Sequence, residues 1–157
     1  MNEHPSQAPV TDSFASFVQG FANLIGIPYE ESDPGIAFEV SGNVVTIVPD
    51  TTDTSGLVIE IAPGLSPGEN PALLRLLLQL NDEAGHSHRW VLALDTDAQL
   101  LIRVLRTWSL ARPEDLIDWL ADGIERAEAV RALVENFPAP VRLDPIPVSR
   151  DAKMIRG

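Results

Sequence analysis

Between residues 73 and 80, six of eight side chains are leucine, and this stretch constrains the fold more than any other. Asn70 suits a helix N-cap, Pro71 the first helical position and Gly85 a stop, which predicts a helix over 70–81 and a few residues beyond. A helix lying on a sheet needs an apolar stripe only about 100° wide. With 3.6 residues per turn, Leu73, Leu77 and Leu80 share one side. Leu74 and Leu78 widen it, and Leu76 falls nearly opposite Leu78. Only Arg75, Gln79 and Asn81 bring polarity to these turns. Two arrangements satisfy such a helix: burial on every side, or one side on its own sheet and another on a second copy of the chain. A single small domain has trouble surrounding a helix completely, which favours the second.

The 157 residues fit one domain large enough to hold a core. The boundaries expected are a disordered leader over 1–10, a domain over 11–137 and a proline-rich basic tail over 138–157. No apolar run approaches a membrane span, and the first residues lack the basic and apolar regions of a secretory signal. With no cysteine there is neither disulfide nor thiolate chemistry, and the cytoplasm is the simplest address. Net charge is −12. The tail carries four cations against two acids, and the first 137 residues seven arginines against twenty-one acids. Such a surface repels phosphate, so neither nucleic acid nor membrane insertion is expected. It is compatible with a protein kept soluble while it displays apolar patches.

Ahead of the leucine stretch, Thr11, Asp12 and Ser13 offer caps for a helix through about Ile25. Its Phe14, Phe17, Val18, Phe21, Leu24 and Ile25 keep helical spacing until Gly26 and Pro28. Ile36, Phe38 and Val40 then alternate as a strand, Ser41-Gly42-Asn43 turns, and strands over 44–48 and 57–61 follow across a polar loop. After the leucine helix come strands over 89–94 and 99–108, then a helix opened by Pro113 and running to about Phe137. The order α-β-β-β-α-β-β-α belongs to the α+β class: a twisted antiparallel sheet with three helices.

Catalytic patterns are missing: no phosphate loop, nucleophile elbow or zinc signature, and no carboxylate pair spaced for acid–base work. His86 and His88 form a two-residue metal pattern to which Asp82, Glu83 or Asp95 would have to add a ligand. Solvent-facing loop histidines are the simpler reading, so no catalytic residue, metal or cofactor is expected.

Several strings, taken in order, resemble the class I type III secretion chaperones of the Tir-chaperone family. They are Leu24-Ile25-Gly26-Ile27-Pro28, the three-strand meander, Asn70-Pro71, and Leu73-Leu74 through Leu77-Leu78 to Asn81. Leu92-Ala93-Leu94-Asp95 and Pro113-Glu114-Asp115-Leu116 complete them, so the likeness spans residues 14–137. The resemblance implies a bacterial cytoplasmic homodimer that binds an extended N-terminal segment of a secreted effector and holds it non-globular for export. It places the dimer contact on Leu74, Leu77, Leu78, Trp90 and Leu92. It places effector contacts on Phe17, Phe21, Ile36, Phe38, Val45 and Ile47. The polar 50–55 loop, the histidine loop and the basic tail depart from the family pattern. The tail reads as an idle end or as a docking arm for a component of the secretion apparatus. The alternative function is a dimeric regulatory or structural protein of the same fold with a folded intracellular partner.

Overall fold

A computed structural model of the chain describes residues 13–83 and 90–139. The elements run α1 (Phe14–Ile25), β1 (Ile36–Val40), β2 (Asn43–Pro49), β3 (Gly56–Ala62), α2 (Pro71–Glu83), β4 (Val91–Leu94), β5 (Leu100–Thr107) and α3 (Asp115–Asn136). All neighbouring strands pair antiparallel, in the order β1-β2-β3-β5-β4. The α+β architecture read from the sequence is the one adopted.

Local chemistry sets the element ends. The Ser13 hydroxyl accepts a hydrogen bond from the Ser16 amide at the start of α1, and Gly26 closes it in the left-handed region at φ 72°. The Asn70 side-chain oxygen accepts from the amides of Ala72 and Leu73, so it caps α2 as its position suggests. Between β1 and β2 the turn is only Ser41-Gly42, both at positive φ, with Val40 opposite Asn43. Asn43 is therefore the first residue of β2, not part of the turn. It is also buried, and its carboxamide donates to the Ser41 carbonyl and accepts from Arg131 of α3. Arg131 donates as well to the Pro63 carbonyl at 2.8 Å, which pins α3 to this end of the sheet.

Strand alternation sorts the sheet into two faces. Val45 and Ile47, then Leu57, Ile59 and Ile61, then Leu100, Ile102 and Val104 point inward and are buried. The helices cover this face. Phe21 meets Phe38 with ring centres 6.0 Å apart, Phe17 meets Trp108 at 6.1 Å, and α2 lays down Leu73 and Leu77. Across the other face Thr46, Glu60 and Arg103 stand in register, with an Arg103–Glu60 ion pair at 2.9 Å. Val44, Val91 and Leu105 are exposed beside it.

Helix α3 approaches closely at Gly123, where a Cβ would meet the Ile61 methyl and the Trp90 ring at 2.6 Å. Alanine gains helix propensity, but the rigid indole cannot yield. Gly123→Ala is expected to lower stability by about 1–3 kcal/mol, read as a lower denaturant midpoint. A midpoint equal to that of the unsubstituted chain would contradict this packing.

In the loop before β3, Asp50 accepts from the Thr52 amide and hydroxyl, and Asp53 from those of Ser55. These bonds hold both carboxyls below their ordinary value of 3.8. Their contribution is present above that value and lost as pH falls through the lowered folded ones. Carbon-detected titration of both side chains should give midpoints below 3.8. Midpoints at the ordinary value would show that the loop bonds do not persist in solution.

Candidate partner-binding surfaces

The leucines of α2 divide among three environments. Leu73 and Leu77 are buried on the sheet, Leu74 and Leu76 are half-covered, and Leu78 and Leu80 are exposed, Leu78 to 67%. Leu80, read from its spacing as part of the buried side, thus lies at the margin. Beside Leu78 runs an open groove of about 350 Å³ whose apolar lining includes Leu74, Leu77, Leu92 and Leu94. The structure brings together four of the five residues expected at a dimer contact: Leu74, Leu77, Leu78 and Leu92.

Trp90, the fifth residue expected at the dimer contact, is instead buried in the protomer. It is 5% exposed, its ring lies against Gly123, and its indole N–H donates to Asp122 at 2.6 Å. Asp122 also pairs with Arg126 at 3.3 Å, so Trp90 belongs to the seam between β4 and α3.

The expected effector contacts need a larger correction. Phe17, Phe21, Ile36, Val45 and Ile47 are core residues, and only Phe38 is half-exposed. The reason is geometric: Phe21 turns toward Phe38 of β1 and Phe17 toward Trp108, and both join Ile36, Val45 and Ile47 in one buried cluster. What remains accessible lies on their margins, at Leu24 and Ile25 near the end of α1 and at Val44 on the opposite sheet face. Helical spacing marked the first two as apolar but gave no sign that they lie outside the core.

Arg106 sits 5.5 Å over the Trp119 ring, and burial pushes its pKa below the usual arginine value. Among the described residues, no three His, Cys, Asp or Glu side chains gather as metal ligands. His86 and His88 lie outside those residues, as do the expected leader and the tail beyond Ala139. Among the described residues no helix is long and apolar enough to cross a membrane.

No curated protein sequence matches the chain. Similar solved structures include the type III secretion chaperone SycH of Yersinia pestis, in complex with a stable fragment of YscM2. It is 21% identical with a TM-score of 0.59, over 74% of this chain and 98% of that one. A chain of the ExsC–ExsE complex is 16% identical at TM-score 0.64, over 81% and 97%. A chain of the HopA1–SchA chaperone–effector complex is 14% identical at 0.57, over 76% and 93%. At these identities the structures speak for the fold. The sequence profile that describes the Tir chaperone protein (CesT) family matches residues 16–131, and the chain belongs to that family.

Proposed function

We propose that this protein is a type III secretion chaperone that acts without turnover. As a cytoplasmic homodimer it binds an extended segment of a secreted effector and keeps it non-globular until export. The carrying observation is the apolar flank of α2, where Leu78 and the groove lined by Leu74, Leu77, Leu92 and Leu94 stand open in a member of a chaperone family. Solved complexes of the same fold hold a fragment of YscM2 or the effector HopA1, which supports a guest of that kind. The groove receives the second copy. The guest lies along the accessible margin of α1 and β1, at Leu24, Ile25 and Phe38.

Co-expression with the N-terminal segment of an effector encoded next to this chain tests the reading. The expected product is a soluble complex in which the bound segment still yields to protease once displaced. Leu24→Glu combined with Ile25→Glu should weaken it at least about tenfold while the fold persists, since few interface residues carry most of the energy. Capture of the partner only in its folded state would favour a regulatory dimer of the same fold instead.

A further inference from the structure

The sheet has two edges, β1 and β4, and they are not equivalent. In an antiparallel ladder, residues that exchange hydrogen bonds with the neighbour alternate with residues whose N–H and C=O point away. On β4 the Asp95 amide donates to the Gln99 carbonyl at 3.0 Å, so Asp95 is a bonded position. Leu94 opposes Leu100 and Leu92 opposes Ile102 at the intervening positions, with their backbone groups directed off the edge. At Leu92 both groups are taken. Its N–H donates to Asn81 Oδ1 at 2.6 Å, and its C=O accepts from Asn81 Nδ2 at 2.7 Å. One carboxamide supplies the acceptor and donor that a residue of a sixth strand would supply.

Among the described residues the β1 edge is open. Counting from the Val40–Asn43 pair beside the two-residue turn, Ala37 and Glu39 direct their backbone groups outward. Both residues are exposed, and among the described residues neither makes a backbone hydrogen bond outside the sheet.

The geometry points to Asn81 as a surrogate strand that seals β4, so that an extended segment adding by backbone hydrogen bonds is confined to β1. Resting on the function proposed above, this makes Asn81 a positioning residue for the guest that never touches it. It also means that a second copy meets α2 and β4 through side chains rather than by sheet continuation. An exposed strand edge is otherwise a template for pairing, and β4 has only four residues over which to protect itself.

Hydrogen exchange and sedimentation of the full chain test this without any guest. In the unsubstituted protein the Leu92 amide should exchange slowly. In Asn81→Ala it should exchange at least about tenfold faster, the loss of one hydrogen bond of ordinary strength, while the Ile59 and Ile102 amides keep their protection. The opened edge should then give concentration-dependent assembly beyond the state of the unsubstituted chain. Adding Leu94→Pro, which removes the next outward N–H, should reverse that assembly. If Asn81→Ala does not fold, Asn81→Asp keeps the acceptor and loses the donor, and should assemble likewise with Leu92 still protected. Rapid Leu92 exchange in the unsubstituted chain would overturn the proposal. So would faster exchange at Leu92 with no change in assembly. Neither result depends on the guest, so failure of effector binding would remove the function and leave the sealed edge standing.

Discussion

Phe21→Ala should cost about 3–5 kcal/mol of folding free energy, the loss expected for a large aromatic taken from a packed core. Phe21 is fully buried, its ring tilted against Phe38 across the α1–β1 contact, and it belongs to the cluster that contains Ile47 and Ile59. Folding of a domain this size leaves about 5–15 kcal/mol in all, so about a fifth of the stability or more would go. The thermal midpoint should fall by about 10 °C or more. Phe21→Glu adds an unpaired buried charge and should prevent folding. A Phe21→Ala chain that melts at the original temperature but no longer binds a guest would return this residue to the surface.

Leu78→Glu should separate two functions that the leucine stretch combines. The side chain is 67% exposed, and glutamate is about as good a helix former, so the folding free energy of one protomer should change by about 0.5 kcal/mol or less. The charge would, however, face a second copy across an apolar groove. A central interface residue is worth about 2 kcal/mol or more, and an unpaired carboxylate opposite Leu74 and Leu92 costs further. The dimer dissociation constant should rise at least about hundredfold. Leu77→Glu makes the contrast: Leu77 is buried on the sheet, and its substitution should unfold the protomer itself. If both variants unfold alike, Leu78 is part of the core and not of an interface.

The element order was legible because each element announces itself locally. Asn70 and Pro71 open α2, Gly26 ends α1, Ser41 and Gly42 make the tight turn, and alternation marks β2, β3 and β5. The sites were less legible, for a reason visible in Phe21 and Ile47. A buried apolar row and an apolar row that awaits a partner have the same periodicity. Only the way α1 folds back on β1 and β2 decides between them, and that is a long-range fact. Trp90 failed similarly, because nothing near it in the chain announces Gly123, 33 residues on, as the gap that receives its ring. In α2 the surplus itself was the signal. Six leucines exceed one face wherever the sheet lies, and the structure leaves Leu78 and Leu80 exposed. Asn81 reads in the sequence as one of three polar residues in those turns; its clasp on Leu92, eleven residues on, is a contact that no local pattern announces.

Sedimentation equilibrium of the untagged full chain tests most directly whether α2 is shared between two copies. The expected mass at micromolar concentration is twice the 17.1 kDa of one chain, falling to 17.1 kDa in Leu78→Glu with the fold intact. An unsubstituted chain that stays at 17.1 kDa over the whole accessible concentration range would contradict the account.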